Sequence, residues 1–282
     1  VVKCDQCDVA YTYHDAEKEL VCHYCGKRIK SPSVCPVCGS KYIKYFGTGT
    51  QKIEQEVKKI FPVARVLRMD LDTTTSKNSH QKILEQFGKG KADILIGTQM
   101  IAKGHDFPNV TVVGILAADL SLHMASYRAS EISFQLITQV AGRAGRDELP
   151  GEVFIQTYSP EHYSILLAAK QDYNAFYKQE MQIRQLMQYP PFAHIFTVVF
   201  SGKNEKEVIE SAGYLASIML YYNRKKQFEV LGPTPAALSK FRQEYRWRIL
   251  VKCQEEERLQ KFVLYCCEKW YEKKWNVLLN LT

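Results

Sequence analysis

The chain has 282 residues, 46% hydrophobic and 24% charged, the balance of a folded, soluble protein rather than a disordered tail. Its net charge of +8 favours an anionic partner, nucleic acid being the commonest. No apolar run approaches the ~20 residues of a bilayer span, and the opening VVKCDQC has neither the basic start nor the apolar core of a secretory signal. Residue 1 is Val rather than an initiator Met, so it is read as an internal start.

Six of the nine cysteines fall in the first 38 residues, as three C-x-x-C pairs: Cys4/Cys7, Cys22/Cys25 and Cys35/Cys38. In a chain without a secretory signal that density points to metal or reduced thiols, not disulfides. A C-x-x-C turn aims two thiolates at one point about 2.3 Å from zinc, and two such turns complete a tetrahedron. Residues 8–21 alternate around a charged tip and predict a hairpin. Cys4, Cys7, Cys22 and Cys25 therefore form a complete zinc-ribbon site, the alternative being buried structural thiols. His14 and His23 are possible stand-in ligands, read as surface residues. Cys35 and Cys38 are half of a second site, because two closed sites need eight ligands and three pairs supply six. Tyr11, Tyr13 and His14 on the hairpin are candidates for stacking on bases, or ordinary core and surface residues.

From residue 44 strands alternate with helices. GTGTQKIEQEVKKIF opens an amphipathic helix with Ile53, Val57 and Ile60 on one face. ARVLRMD (64–70), ADILIGT (92–98), VTVVGILAAD (110–119) and GEVFIQT (151–157) read as strands; NSHQKILEQFGKGK and residues 129–142 read as helices. That alternation predicts a parallel sheet covered on both faces. The loop at Gly47, Thr48, Gly49 and Thr50 opens a helix, and helix N-termini bind phosphate; a plain N-cap is the other reading of Thr50.

Beyond residue 162 the order changes. A tyrosine-rich helix over 161–188 is stopped by Pro190 and Pro191. The elements after it run β-α-β-β-α-β, the ferredoxin-like order. Cys253, Cys266 and Cys267 lie inside these elements as core or partly buried thiols, with adjacent Cys266 and Cys267 on different sides of their helix. In KFRQEYRWRIL the basic residues are Lys240, Arg242, Arg246 and Arg248. Strand alternation puts Tyr245, Trp247 and Ile249 on an inner face and Arg246 and Arg248 on an outer one. A basic sheet face suits a DNA branch or 3′ end, or is simply solvated. The fold class is α/β with an α+β C-terminal part, in three segments: a zinc module (1–43), a parallel-sheet lobe (44–162) and a ferredoxin-like domain (163–282).

QVAGRAGR (139–146) ends the helix of the central segment. Arginine is permanently charged and offers a planar fork of donors. Two of them three apart suit a phosphate losing its bond, where charge builds on equatorial oxygens; a salt-bridged helix end is the alternative. Q-x-x-G-R-x-G-R resembles motif VI of superfamily 2 helicases. ILIGTQMIAKGHDFPNVTVVGILAAD resembles motif V and GTGTQKIEQE the motif IV region. With the cysteine ladder upstream, YRASEISFQLITQ, and YPPF and VLGPTPAALSKFRQEYRWRIL downstream, the chain from Cys4 onward resembles the PriA family of bacterial replication-restart helicases.

That resemblance implies a RecA-like second helicase lobe. Arg143 and Arg146 would stabilise charge on the γ-phosphate of ATP held by another lobe, with Gln139, Gly142, Gly104 and Asp106 lining the cleft. Gly47, Thr48, Gly49, Thr50 and Thr98 would contact the DNA backbone, and Arg246 and Arg248 the branched or single-stranded DNA. It implies ATP, Mg²⁺ and two zinc sites in the intact protein, one of them complete here. Implied partners are primosome proteins and the acidic tail of single-stranded DNA-binding protein, and the implied location is the cytoplasm, at the nucleoid. It also implies a chain that begins inside the zinc module. No GxxxxGK[ST] occurs in the 282 residues, so the segment alone is expected to be inactive. The rival classes are a non-catalytic zinc-ribbon recruitment factor with a degenerate lobe, and a superfamily 2 nuclease or translocase of another lineage.

Overall fold

The computed structural model describes residues 2–14, 18–34, 38–40, 49–70, 79–102, 107–145 and 150–282. They group into two units: Val1–Tyr45 with Ile183–Thr282, and Phe46–Gln182. The metal module thus packs with the C-terminal domain, and the boundary expected at 162 falls inside the second unit.

The module is a three-stranded antiparallel sheet of β1 (Thr12–His14), β2 (Glu19–Val21) and β3 (Arg28–Lys30) in that order. Thr12 pairs with Val21 and Glu19 with Lys30, so the predicted hairpin between Cys7 and Cys22 is present. Strands of three residues bury little. The packing centre is Cys4, Cys7 and Cys22 with Val9, Tyr11, Cys25 and, from the other end of the chain, Phe241. A segment with so small a core needs a staple such as a metal.

The second unit carries α1 (Thr50–Ile60), β4 (Val66–Met69), α2 (Ser79–Gly88), β5 (Ile94–Gly97), β6 (Val112–Ile115), α3 (Ala129–Ala141) and β7 (Glu152–Ile155). Among the described residues the strands form two parallel pairs, β4–β5 and β6–β7. The long tyrosine-rich helix is in fact two, α4 (Tyr163–Ala169) and α5 (Tyr173–Leu186). The break lies at Gln171, whose φ is +53°, and Asp172 restarts the chain by accepting from the Ala175 amide at 2.9 Å. Both helices pack on α3. Phe134 stacks on Phe176 at 4.1 Å, within a core that also holds Ile137, Ile165 and Ala168. That packing, invisible to periodicity, carries them with the lobe.

The C-terminal domain is β8 (His194–Gly202), α6 (Glu205–Tyr222), β9 (Glu229–Phe241), β10 (Glu244–Cys253), α7 (Glu256–Tyr271) and β11 (Leu278–Leu281). Its antiparallel sheet has the order β11-β8-β10-β9, as the ferredoxin-like pattern requires. Val198, Phe200, Ile249 and Val251 face Leu215, Met219, Val263 and Trp270 across one core, each such side chain contributing ~1.5–3 kcal/mol. Cys266 and Cys267 both lie in that core and Cys253 packs against it partly buried, as the sequence reading expects. Burial pushes their thiols up, to about 12 and about 11.

Two further corrections concern the basic strand. β9 runs on to Phe241, into the KFRQEYRWRIL stretch, and β9 and β10 close on a two-residue turn with Arg242 at φ +49° and Gln243 at φ +70°. Two left-handed residues make the turn type that matches strand twist. The face opposite the core is also less open than predicted. Arg246 and Arg248 are half-buried, and Lys252 on the same face is buried, donating to the Met187 carbonyl at 3.1 Å, paired with Glu229 at 3.2 Å and over the Tyr189 ring.

Candidate functional site

The first two cysteine pairs fold as copies of one turn. In each, the residue after the second cysteine is left-handed: Asp8 at φ +52° and Gly26 at φ +78°. In each, that residue's amide donates to the first cysteine's carbonyl, Asp8 to Cys4 at 2.7 Å and Gly26 to Cys22 at 2.8 Å. The first cysteine's amide closes the loop on the residue beyond, Cys4 to Val9 at 2.8 Å and Cys22 to Lys27 at 2.9 Å. Glycine enters this conformation freely and aspartate tolerates it.

The two turns bring four sulfurs together, all within 4.8 Å of one another. Tetrahedral coordination at ~2.3 Å requires sulfurs ~3.8 Å apart, and Cys4 and Cys25 Sγ are 3.7 Å apart. The donor set, its spacing and its burial fit zinc. Burial works against a Cys4 thiolate, but hydrogen bonds from the Gln6 and Cys7 amides and the Tyr11 hydroxyl bring its pKa down to about 7. Burial raises the Cys25 thiol; a bound cation would deprotonate it outright. Burial, and then its bond to Cys4, hold the Tyr11 phenol above its ordinary value, so it stays a donor. Tyr11 therefore faces the thiols rather than offering a ring to bases. Lys27, paired with Asp5 at 2.8 Å, faces Cys4 and Cys25 and offsets the negative charge of the four thiolates.

His23 is exposed and outside the cluster, and the His14 side chain lies outside the described residues. Cys38 is exposed; Cys35 lies outside the described residues, so the expected half-site is not described.

The arginine motif is built at the end of α3. Gln139 is exposed on the last turn, and the Gly142 amide caps the helix on the Thr138 carbonyl at 3.0 Å. Arg143, half-buried, follows with its amide on Val140 at 3.0 Å. Gly145 then turns left-handed at φ +68° and donates to the Val110 carbonyl at 3.0 Å, tying the motif to the entry of β6. A Cβ at Gly145 would lie 2.5 Å from the Gly151 nitrogen, so the second glycine is there because the backbone entering β7 passes against it. Arg146, Gly104 and Asp106 lie outside the described residues.

Of the residues assigned to DNA, Gly47 and Thr48 are outside the described residues and Gly49 is the exposed N-cap of α1. Thr50 is not a cap: its hydroxyl donates to Asp70 at 2.5 Å. Arg68 bonds Asp70 at 2.6 Å and Glu54 at 3.0 Å, so this part-buried network fastens α1 to β4. Thr98 is exposed just past β5, at the C-terminal edge of a parallel pair, where ligands bind in open α/β sheets. Its approach is set by Gly97, where a Cβ would meet Ile101 at 2.6 Å and the Met69 carbonyl at 2.7 Å.

Sequence reasoning gave no role to Asp119. It is buried and accepts from the Thr157 hydroxyl at 2.5 Å and the Tyr158 and Ser159 amides at 2.9 and 3.1 Å. Burial opposes its charge, but those bonds hold the carboxyl below its usual range. It fixes the turn from β7 into α4. A lone acid in an apolar stretch was the available signal.

Residues 4–30 match the PriA DNA helicase Cys-rich region domain, 40–148 the helicase conserved C-terminal domain, and 185–276 the primosomal protein N C-terminal domain. The chain belongs to the PriA family. Replication restart protein PriA of Bacillus subtilis (strain 168) is 47% identical over 259 residues, 92% of this chain and 32% of the relative. Its namesake in Synechocystis is 43% identical over 256 residues (89% and 31%), and in Haemophilus influenzae 37% over 283 (100% and 38%). The chain thus spans about a third of the length of the PriA relatives it matches. The helicase match contains the arginine motif, and the Cys-rich match contains all four clustered thiols. Among the described residues no helix is long and apolar enough to cross a membrane.

Proposed function

We propose that this chain is the part of an ATP-dependent 3′–5′ DNA helicase that supplies the arginine fingers, the zinc module and the C-terminal domain, acting at stalled or branched replication forks to start primosome assembly. The observation that carries the reading is Arg143, held at the end of α3 by a helix cap on one side and by Gly145 against β6 and β7 on the other. A backbone so anchored fixes the point from which the guanidinium reaches for charge that develops elsewhere. In this reading Arg143 and Arg146 meet the γ-phosphate of a Mg²⁺-bound ATP held by a P-loop lobe. Gln139, Gly142, Gly104 and Asp106 line that cleft; 47–50 and Thr98 follow the DNA backbone. Residues 1–43, 44–162 and 163–282 are the zinc, motor and DNA- or partner-binding segments, although α4 and α5 pack on the motor. Cys35 and Cys38 belong to a second zinc site. Single-stranded DNA-binding protein and primosome proteins are the partners, at the nucleoid.

Joined to a P-loop lobe, the protein should hydrolyse ATP in response to DNA. Arg143→Ala should lower that turnover by roughly 10³-fold, the usual scale for a lost arginine finger. DNA affinity measured by anisotropy should stay within a few-fold of the parent and should fall with salt in both. Turnover within a few-fold of the parent would remove Arg143 from the reaction.

A further inference from the structure

The tip of the β9–β10 hairpin touches the metal module at the first cysteine turn and at the thiol cluster. The Gln243 amide donates to the Gln6 carbonyl at 2.9 Å, and Lys240 Nζ donates to the Asp5 carbonyl at 2.8 Å. Asp5 and Gln6 are the two residues between the ligands Cys4 and Cys7. Phe241, between the two donors, packs on the thiol cluster itself. Lys240 is held over the Tyr245 ring at 4.7 Å and the Arg242 guanidinium over Phe241 at 5.1 Å, so the tip is ordered by its own side chains. The two turn residues, Arg242 and Gln243, are both left-handed, the hairpin turn that matches strand twist, and this aims the Gln243 amide at the Gln6 carbonyl.

We propose that this hairpin tip is a clamp that makes zinc binding and docking of the metal module on the C-terminal domain one linked equilibrium. A C-x-x-C turn points its two central carbonyls in fixed directions only while both sulfurs are drawn to a common centre. With zinc bound, Asp5 and Gln6 present those carbonyls to Lys240 and Gln243, and Phe241 seals the sulfurs from water. With zinc withdrawn, four thiols no longer share a centre, the carbonyls turn away and the tip loses its partner. Linkage is reciprocal: whatever the metal contributes to docking, docking contributes to holding the metal. Lys240, Phe241 and Gln243 are thus positioning residues for a metal they do not touch, and outer-shell groups of this kind commonly shift metal affinity by ~10–100-fold. The inference rests on zinc at the four clustered thiols and is independent of the helicase reading.

The test uses the full 282-residue chain carrying Cys35→Ser and Cys38→Ser, so that one metal ion is followed. Zinc release to a chromogenic chelator is compared with Phe241→Ala and with Lys240→Met, which keeps the aliphatic stem. Amide exchange at Gln243 is read with and without zinc. The expected result is release ~10-fold or more faster in Phe241→Ala and a smaller acceleration in Lys240→Met. Gln243 should lose protection when zinc is removed while the amides of Val198 and Ile249 keep theirs. Wild-type release from both variants with the β8–β10 amides still protected would overturn the clamp, and so would unchanged Gln243 protection in zinc-free protein. A parent chain that binds no zinc would overturn both the clamp and the metal reading beneath it, whereas zinc bound with release indifferent to the tip would overturn the clamp alone.

Discussion

The cysteine cluster and the arginine motif make opposite demands on the chain. The four thiols meet each other: Cys4, Cys7, Cys22 and Cys25 come from two turns within 22 residues, and nothing further is needed to close the coordination shell. The backbone around Arg143 is anchored as firmly, by Gly142, Gly145 and the Val110 carbonyl, but in the proposed reading the charge it meets is a phosphate held by another lobe. A metal site is local and can be complete in a few dozen residues. A phosphoryl-transfer site is assembled from two lobes, so half of it can be well formed and chemically silent.

The sharpest way to break that contrast is at the metal. Cys22→Ser should abolish the tightly held zinc of the first module, since a structural site contributes ~10–16 kcal/mol of coupled binding and folding. Cys35→Ser should leave that ion in place, with about one tightly held zinc per chain by the four-ligand rule after gentle chelation. Elemental analysis reads both. A tight zinc lost equally on Cys35→Ser would mean that the clustered thiols are not self-sufficient.

A smaller effect sharpens the other side. Asp119→Ala should destabilise the Phe46–Gln182 unit by about 2–6 kcal/mol, because the Tyr158 and Ser159 amides lose their acceptor at ~1–3 kcal/mol each. The pH dependence has a fixed sign. The folded carboxyl titrates below its unfolded value, so its stabilisation is full above the unfolded pKa of ~3.9 and is lost as pH falls through the folded one. Thermal unfolding from pH 7 to 3 should show a steeper acid loss in the parent than in Asp119→Asn. Identical profiles would assign the acid sensitivity to other groups.

Much of this was legible in residues 1–38 and 139–146 because their spacing is itself geometry. C-x-x-C fixes two sulfurs, and G-R-x-G places a helix cap before a left-handed turn. The ferredoxin-like order followed from alternation alone. What spacing could not carry was contact between distant segments. Lys240 lies 235 residues from the Asp5 carbonyl it bonds, and Phe241 packs on thiols from the opposite end of the chain, so spacing alone leaves the KFRQEYRWRIL strand a free basic face. The break at Gln171 is hidden because a single positive φ on glutamine has no sequence signature, and the stacking of Phe134 on Phe176 that ties α5 to α3 joins residues far apart in the chain. Thr50 looked like a cap until Asp70, twenty positions on, claimed its hydroxyl.

The most direct test of the central claim, that the arginine motif is half of a site, is steady-state ATP hydrolysis by the 282-residue chain alone, with and without forked DNA. The account predicts no DNA-stimulated turnover above background, because no GxxxxGK[ST] phosphate cradle occurs in the 282 residues. DNA-stimulated turnover by this chain that Arg143→Ala abolishes would contradict it, for the motif would then be acting within a complete nucleotide site.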